Sequence, residues 1–414
     1  MADVTVIGAG PVGSLLALTL ARRGISTDVY ERRPDMRRAE ISAGRSINLA
    51  VSTRGLHALH EVGLDEDVLR EAVPMLGRMT HALDGATALL PYGRSDAEYI
   101  NSMSRGGLNR LLMTRAEETG RVRIHFGKRL IAYEGGAARF DDGTSTEAPV
   151  IVGADGSASA LRSFVTGEVS QELLTSGYKE LTMPPRAGGG FAMHREALHI
   201  WPRGSFMLIA LPNLDGSFTC TLFLAFDGSP SFDQLRTQRD AQQFCEKYFP
   251  DALPLMPDMA AQLMSAPLGH MVTVKARSWS RGGALLIGDA AHAIVPFFGQ
   301  GMNAGFEDVT LLAPLLESDD WPRAFARFAK HRKPDTDAIA DLAVENFIEM
   351  RDKVADPEFL KMREIERQLQ EKDPAYLTRY QMVTFTRMPY RDALRRGREQ
   401  QERLERIARG ELTP

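Results

Sequence analysis

The 414-residue sequence predicts a mixed α/β fold built around a parallel sheet. A glycine-rich turn at residues 8–13 lies between a short apolar run and a helical pattern. Two later apolar runs, 150–152 and 285–287, each lead into a turn that contains glycine and aspartate. Buried apolar strands that end in glycine-rich turns are typical of parallel sheets. No internal repeat or low-complexity linker separates these signals, so we expect interleaved lobes.

The N-terminal unit has the order strand, turn, helix, strand. Residues 4–7 form a short apolar run, residues 11–23 carry apolar side chains at helical spacing, and residues 26–30 fit a second strand. This context makes the glycine turn a credible dinucleotide-binding fingerprint. The sequence therefore predicts a Rossmann-type lobe at the N-terminus.

Each residue of that fingerprint has a physical role. Gly8 permits the tight turn, Gly10 lets the backbone approach a pyrophosphate at a helix N-terminus, and Gly13 allows close helix–strand packing. Glu31 lies 21 residues past Gly10, close to the spacing of about 20 expected for a ribose-binding acid. These residues predict that the lobe binds a dinucleotide.

The later glycine–aspartate turns extend the same site. Asp155 ends one apolar strand and is followed by Arg162, and Asp289 ends another. Residues 299–305 then contain three glycines at a predicted helix start, where backbone N–H groups can face an electron-rich ring. Arg105 stands at another predicted helix start, from which it can reach phosphates. His292 is interpreted as structural.

Composition excludes several classes of protein. The chain has 50 Lys and Arg against 54 Asp and Glu, a net charge of −4, which argues against a nucleic-acid partner. The presence of only two cysteines argues against a disulfide framework or a thiolate metal site, and we expect a reduced cytoplasmic setting. The N-terminus lacks the features of a signal peptide, and no apolar run suits a membrane span.

The three glycine signatures together resemble those of the class A flavoprotein aromatic hydroxylases, and further segments resemble the kynurenine 3-monooxygenase family within that class. These segments are GRSINLA at 44–50, PYG at 91–93, HIWPR at 199–203, FTCTLF at 218–223, AIVPFFGQGMNAGFED at 293–308 and NFIEMR at 346–351. The resemblance covers roughly residues 3–390. Its most specific parts lie outside the nucleotide-binding motifs.

The resemblance implies a Rossmann-type FAD-binding lobe interleaved with an antiparallel-sheet substrate lobe, followed by a helical C-terminal cap. The predicted FAD lobe comprises residues 1–60, 100–177 and 275–320. The substrate lobe comprises residues 61–99 and 178–274, and the cap with a charged tail comprises residues 321–414. A second GxGxxG motif is absent from the sequence, in keeping with a family that has no separate NADPH lobe.

The resemblance also implies the reaction. We expect an FAD- and NADPH-dependent monooxygenase that hydroxylates L-kynurenine ortho to its ring amine to give 3-hydroxykynurenine, through the C4a-hydroperoxyflavin of the family. FAD would be bound non-covalently, NADPH would be a transient reductant and O₂ a co-substrate. Because the ring amine activates the substrate, no protein acid or base is assigned as catalytic, and no metal is expected.

The site residues follow from the family's pattern. The predicted substrate contacts are Arg78, Tyr92, Asn346 and Tyr380, and the predicted pocket walls are Phe297, Gln300, Glu349 and Met350. The predicted cofactor contacts are Gly8, Gly10, Val12, Gly13, Glu31, Arg32, Ala50, Arg105, Leu130, Asp155, Asp289, Gly301, Met302 and Asn303. A guanidinium offers a fork of donors suited to a carboxylate such as that of an amino acid.

The tail and two alternatives complete the expectations. Residues 391–411 are dense in charge, which predicts a solvated terminal helix with acid-first i,i+4 pairs, no membrane anchor, and tolerance of its removal. A monomer or homodimer is expected. The alternatives are the same chemistry on a ring-substituted kynurenine or another aminoaryl or phenolic acid, and an FAD oxidase or reductase that does not hydroxylate.

Overall fold

The computed structural model describes residues 2–38, 48–95, 97–349 and 357–413; the predicted pocket residue Met350 and residues 44–47 of the first family-like segment lie outside these ranges. The strands are β1 (Val4–Ile7), β2 (Thr27–Glu31), β3 (Asn48–Val51), β4 (Val73–Met75), β5 (Gly77–His81), β6 (Thr87–Pro91), β7 (Ile100–Ser104), β8 (Val122–Phe126), β9 (Leu130–Glu134), β10 (Ala137–Phe140), β11 (Ser145–Glu147), β12 (Ile151–Gly153), β13 (Val169–Met183), β14 (Ala197–Pro202), β15 (Met207–Pro212), β16 (Phe218–Ala225), β17 (Gly269–Ala276), β18 (Ser280–Arg281) and β19 (Ala284–Leu286). The helices are α1 (Pro11–Arg22), α2 (Thr53–Glu61), α3 (Asp65–Arg70), α4 (Arg105–Glu118), α5 (Arg162–Val165), α6 (Gln238–Tyr248), α7 (Met259–Ser265), α8 (Asp289–His292), α9 (Gly301–Leu312), α10 (Leu315–Ser318), α11 (Trp321–Ile348), α12 (Pro357–Lys372), α13 (Arg379–Thr384) and α14 (Tyr390–Ala408).

The nucleotide-binding lobe is organised by a mainly parallel sheet. Its described strands lie in the order β18-β19-β12-β1-β2-β8, and only the β18–β19 pair among them is antiparallel. Helix α1 buries Leu15, Leu16 and Leu20 against this sheet. The order places the turns after β1, β12 and β19 at one edge, where parallel α/β sheets bind ligands. The predicted Rossmann-type lobe is confirmed.

The second large sheet has the order β17-β13-β16-β15-β14-β5-β6, and its pairs are antiparallel except for β14 with β5. Its side chains alternate between two faces, as strand geometry requires. On β16, Phe218, Cys220 and Leu222 pack beneath α6 and α7. Thr221 and Phe223 point to the other face, which borders a large cavity. The predicted antiparallel-sheet lobe is therefore present.

Strands β13 and β17 run across the lobe boundaries expected at 177/178 and 274/275. The two lobes thus share strands, and the boundaries themselves stay a prediction. Two smaller sheets, β3-β7-β4 and β11-β10-β9, complete the described strands.

The C-terminal helices form a cap on the cavity face of the second sheet. Phe347 of α11, Val383 of α13 and Tyr390 of α14 share an apolar cluster with Phe223 and Phe297. The cap carries its apolar side chains on the faces that cover the sheet, as amphipathic helices do.

The solvated character expected for the tail is wrong. Helix α14 buries Leu404 and Ile407 against Ile365 and Leu369 of α12. The charged side chains occupy its outer face, and the apolar positions are sparse, so charge density hid the amphipathic pattern. In the described residues, no helix is long and apolar enough to cross a membrane.

Candidate functional site

One cavity joins the glycine turns to the inner face of the second sheet. Its volume is about 290 Å³. Its walls come from the turns after β1, β12 and β19, from the cavity faces of β13 to β16, and from the cap. Among the residues that line it are Gly10, Val12, Ala50, Arg78, Tyr92, Arg105, Asp289, Phe297, Gly301, Met302 and Tyr380. The tertiary structure thus brings predicted cofactor and substrate residues to a single space.

The first glycine turn leaves no room for side chains except toward the cavity. Gly8 has φ +100°, and a Cβ there would lie 2.5 Å from the carbonyl oxygen of Ala154. A Cβ on Gly13 would lie 2.0 Å from the Gly8 carbonyl oxygen. A Cβ on Gly10 would meet nothing within 4 Å, and Gly10 lines the cavity. The turn is therefore a cradle that lets a ligand approach the backbone.

A second helix N-terminus faces the same cavity. Gly299 adopts φ +66° after the 3₁₀ turn Pro296–Phe298, and α9 then begins at Gly301. Gly301 and Met302 line the cavity. The first N–H groups of a helix have no carbonyl partner within it, and the helix dipole is positive there. Together with the N-terminus of α1, this arrangement favours negative charge at two places, as a dinucleotide with an electron-rich ring requires.

Three carboxylates stand near the strand ends of the nucleotide-binding lobe. Glu31 accepts hydrogen bonds from the backbone N–H groups of Ala9 and Arg33, each at 2.9 Å. Asp155 accepts from the Ala160 N–H at 2.7 Å through Oδ2, and its buried Oδ1 has no hydrogen-bond partner in the described residues. Asp289 lines the cavity at the start of α8. Glu31 thus clamps the glycine turn, and Asp155 keeps an acceptor available.

The far end of the cavity is built around Arg78. Its guanidinium carbon lies 5.4 Å from the ring centre of Tyr92 and 4.9 Å from that of Tyr380, and the two rings stack at 5.1 Å. The Arg78 Nε and the Tyr92 hydroxyl are buried and have no hydrogen-bond partner in the described structure. Unsatisfied buried donors are costly, so donors converging on a cavity point to a polar ligand group.

The protonation states of these groups suit an anionic ligand. Burial would lower the pKa of the Arg78 guanidinium, but the tyrosine hydroxyls and the Glu349 carboxylate outweigh it, and its pKa lies above the ordinary value. Burial also raises the pKa of the Tyr92 and Tyr380 hydroxyls. The site therefore holds a permanent cation beside two neutral hydroxyl donors.

Local sequence explains how Tyr380 reaches this end of the cavity. Thr378 and Gln381 form a capping box at the start of α13, at 3.2 and 2.9 Å. The Gln381 amide also donates to Glu98 at 3.0 Å, which ties the helix to the segment before β7. The capping box therefore fixes the start of the helix that carries Tyr380, and the bond to Glu98 holds that helix against the sheet lobe.

Other predicted substrate residues lie in different positions. The Asn346 amide donates to the Phe297 carbonyl at 2.8 Å, and Glu349 forms ion pairs with Arg363 and Arg379 at 2.5 and 2.7 Å. Asn346 and Glu349 border a second, polar cavity of about 50 Å³, which also touches Arg78 and Tyr380. They therefore lie behind the Arg78 side chain as seen from the large cavity.

Gln300 does not line either cavity as a wall residue, contrary to expectation. Its amide donates to the Ser52 hydroxyl at 3.2 Å and accepts from the Tyr390 hydroxyl at 2.9 Å. Those bonds hold the side chain within the protein, with 1% of its surface exposed. A sequence motif cannot show which way a side chain points when its partners are remote in the chain.

Some predicted cofactor residues also lie outside the cavity lining. Arg32 is exposed, and Leu130 is buried in the core of the nucleotide-binding lobe. The Asn303 amide donates to the carbonyls of Ala50 and Gly299, each at 2.8 Å, and its oxygen accepts from the Ser52 N–H. Asn303 thus stabilises the turn before α9 through hydrogen bonds on the side away from the cavity.

The inner face of the second sheet supplies lining residues that the sequence analysis did not assign. They are Tyr178, Leu198, Met207, Ile209, Leu211, Thr221 and Phe223. The signal was the alternation along these strands, but alternation alone does not show which face is the core and which borders a cavity. In the described residues, no group of His, Cys, Asp and Glu side chains could hold a metal ion.

Comparisons with known proteins agree with this geometry. The family described as FAD binding domain matches residues 1–318. The chain is 52% identical over 408 residues to a kynurenine 3-monooxygenase from Myxococcus xanthus, covering 95% of this chain and 88% of that protein. It is 45% identical over 416 residues to the kynurenine 3-monooxygenase of Stenotrophomonas maltophilia, covering 97% and 91%.

Solved structures share the fold at low sequence identity. 2-Methyl-3-hydroxypyridine-5-carboxylic acid oxygenase in its tetrameric form aligns with a TM-score of 0.70 and 23% identity, covering 86% of this chain and 95% of that one. Klebsiella pneumoniae HpxO, solved with FAD and uric acid, aligns with a TM-score of 0.70 and 19% identity, covering 89% and 93%. These structures support the fold alone.

Proposed function

The chain belongs to the kynurenine 3-monooxygenase family of FAD-binding hydroxylases, and from that premise we propose that it hydroxylates L-kynurenine to 3-hydroxykynurenine with NADPH and O₂. FAD is the bound cofactor, held without a covalent link. The observation that carries the substrate assignment is the buried Arg78, which has an unsatisfied Nε and lies against two tyrosine rings at the end of the cavity. This is a receptor for the carboxylate of an aromatic amino acid.

The residues present fit FAD. The glycine cradle and the N-terminus of α1 would hold the pyrophosphate, and Glu31 and Arg105 flank that region. Asp289 would accept hydrogen bonds from the ribityl chain. The N-terminus of α9 would face the electron-rich end of the ring system. When bound, the cofactor supplies the activation of oxygen, which protein side chains cannot perform.

The chain's own residues would position the substrate. Arg78 would bind the carboxylate, and the hydroxyls of Tyr92 and Tyr380 would add donors. Phe223, Ile209 and Phe297 would line the space for the aminophenyl ring between this anchor and the turn before α9. Anchoring one end of a rigid substrate fixes the position of its reactive carbon at the other end.

Exclusion of water is the second task of the pocket. Phe297 and Phe298 are buried, and the cap covers the cavity face of the sheet. A dry pocket prevents loss of the activated oxygen as peroxide. Because the ring amine already activates the position to be hydroxylated, the proposal assigns no catalytic acid or base to the protein.

The proposal also includes a cytoplasmic enzyme that is a monomer or homodimer. Its support is the composition together with two free, buried cysteines, Cys220 and Cys245, which suit a reducing compartment.

Product analysis tests the proposal. The purified protein, reconstituted with FAD, is incubated with NADPH, O₂ and L-kynurenine, and the products are identified by mass spectrometry. We expect a product that has gained one oxygen atom on the aromatic ring, formed in near-equal amount to the NADPH consumed. Hydroxylation of only a substituted kynurenine or a phenolic acid would mean that this compound, and not L-kynurenine, is the substrate. NADPH oxidation that yields peroxide, with no hydroxylated product from any of these compounds, would indicate an FAD oxidase or reductase instead of a hydroxylase.

A further inference from the structure

A buried cluster of charges lies beneath the helix that begins at the cavity. Arg54 of α2 and Arg332 of α11 both pair with Glu307 of α9. Arg332 also pairs with Asp308 at 2.8 Å, and Asp308 accepts from His292 at 2.6 Å. These side chains are nine-tenths or more buried. Buried charges are expensive unless fully paired, so a cluster of this kind specifies one arrangement of the elements it joins.

The cluster is connected to the turn before α9 through Tyr390. The Arg54 guanidinium carbon lies 3.9 Å from the centre of the Tyr390 ring. The Tyr390 hydroxyl donates to Gln300 Oε1 at 2.9 Å, and the Gln300 amide donates to Ser52 at 3.2 Å. Gln300 directly precedes Gly301, whose backbone lines the cavity. A residue of the terminal helix α14 thus contacts both the charge cluster and the cavity turn.

The charge cluster also supports a second turn at the cavity, the one that follows β19. Asp308 accepts from the Gly288 N–H at 2.8 Å, and Gly288 directly precedes the cavity residue Asp289. Burial opposes the ionisation of Asp308, but His292 and Arg332 outweigh it and hold its pKa below the ordinary range. The ionised Asp308 carboxylate therefore holds the Gly288 backbone N–H, and with it the position of the next residue, Asp289.

We propose that Tyr390 is a positioning residue for the turn 299–302, and that it couples docking of the helical cap to the environment of the bound flavin. The hydroxyl of Tyr390 fixes Gln300, and Gln300 fixes the start of α9. The first N–H groups of α9 would then stabilise the reduced, anionic ring only while the cap is in place. This inference rests on the proposed binding of FAD but not on the identity of the substrate.

The test compares Tyr390→Phe with Tyr133→Phe. The first substitution keeps the ring over Arg54 and removes the hydrogen bond to Gln300. The second removes a hydrogen bond of the same type, from Tyr133 to the Ala148 carbonyl at 3.1 Å, in a strand away from the cavity. FAD affinity is measured by fluorescence titration of the apoprotein, and the flavin midpoint potential by reductive titration without substrate.

We expect Tyr390→Phe to weaken FAD binding by about three- to tenfold and to shift the midpoint potential to more negative values, because a loosened helix start stabilises the reduced ring less. Tyr133→Phe should leave both quantities at wild-type values. The double variant Tyr390→Phe/Gln300→Leu should be no worse than Gln300→Leu alone, because Tyr390 acts through Gln300.

The outcomes separate this inference from the proposed function. Failure of the wild-type protein to bind FAD would defeat the proposed function itself. Normal FAD binding by the wild type, with an unchanged potential in Tyr390→Phe, would overturn the positioning role. A lower melting temperature of the apoprotein with an unchanged flavin potential would also overturn it, because that result describes a structural residue only.

Discussion

The guanidinium carbon of Arg78 lies 4.9 Å from the ring centre of Tyr380, so a strand of the antiparallel sheet meets a helix of the C-terminal cap at the end of the cavity. Tyr92 completes the contact by stacking on Tyr380 with an angle of 12° between the ring planes. The site is therefore complete only when the cap is docked on the sheet.

Replacing Arg78 should damage use of kynurenine far more than binding of FAD. Arg78→Ala removes a charge-assisted hydrogen bond in a desolvated site, typically about 2 kcal/mol or more, so kcat/KM should fall by roughly 30-fold or more. Arg78→Lys should recover only part of the lost kcat/KM, because lysine lacks the planar guanidinium fork and stacks poorly on tyrosine rings. Steady-state kinetics and FAD content measure the two effects. Wild-type kcat/KM in Arg78→Ala would remove the residue from the substrate site.

Removing the Tyr380 hydroxyl should raise KM for kynurenine. Tyr380→Phe keeps the ring stack but loses one donor, which costs about 1 kcal/mol, or roughly fivefold in KM. The peroxide formed per NADPH should also increase, because the substrate is held less firmly. Tyr376→Phe, in the same cap, serves as the control and should behave as wild type. Unchanged KM and coupling in Tyr380→Phe would mean that the ring has a packing role only.

Glu31 should matter for FAD binding through two contributions. Glu31→Ala removes the proposed ribose acceptor and also the hydrogen bond at 2.9 Å to the Ala9 N–H. We expect FAD binding to weaken by about tenfold or more, since a hydrogen bond to a charged group contributes about 1.5–3 kcal/mol. Glu31→Gln, which keeps one acceptor oxygen, should lie between. Once saturated with FAD, each variant should still hydroxylate; normal FAD affinity in Glu31→Ala would contradict the assignment.

The C-terminal helix should be required for stability. Deleting residues 398–414 removes Leu404 and Ile407 and exposes Ile365 and Leu369 of α12. Burial of a large aliphatic side chain contributes about 1.5–3 kcal/mol, so the truncated protein should aggregate or melt at a clearly lower temperature. Leu404→Ala should lower the free energy of unfolding by about 2 kcal/mol or more, and the exposed neighbour Arg403→Ala by almost nothing. An active truncated protein with wild-type melting would show that this packing is dispensable.

His199 should make the protein less stable as the pH falls. Burial lowers the pKa of His199 to about 4, and its neutral ring lies between His81 Nε2 and the His194 carbonyl, each at 2.8 Å. The pKa in the unfolded chain is about 6.5, so only the unfolded state gains a proton as the pH falls from about 6.5 to about 4. Its contribution is fully present above pH 6.5 and is lost below it, by up to about 3 kcal/mol.

Urea unfolding at pH 7.0, 5.5 and 4.5 measures this loss of stability, which can reach roughly 1.4 kcal/mol for each pH unit. In His199→Gln the stability should fall less steeply over this range, even if its value at neutral pH is lower. Equal pH dependence in the variant and the wild type would assign the loss to other groups, of which His81 and His194 contact His199.

Local sequence determined the nucleotide-binding lobe. Gly8, Gly10 and Gly13 are required by the backbone conformation and close packing of one turn, and such demands are local. The same holds for the capping box at Thr378, which starts a helix wherever that helix lies in the fold. The family resemblance added Arg78 and Tyr380, but only as members of a pattern of substrate contacts.

Only the tertiary structure decided which way the polar side chains face. Gln300 and Asn303 belong to the same motif as the cavity residue Gly301, yet their amides turn into the protein because Ser52, Ala50 and Tyr390 supply partners from distant parts of the chain. The sequence analysis assigned no role to Arg54 and Glu307 individually, and the structure buries them as a pair. Burial and long-range pairing depend on how remote elements pack, and that information is absent from any local pattern.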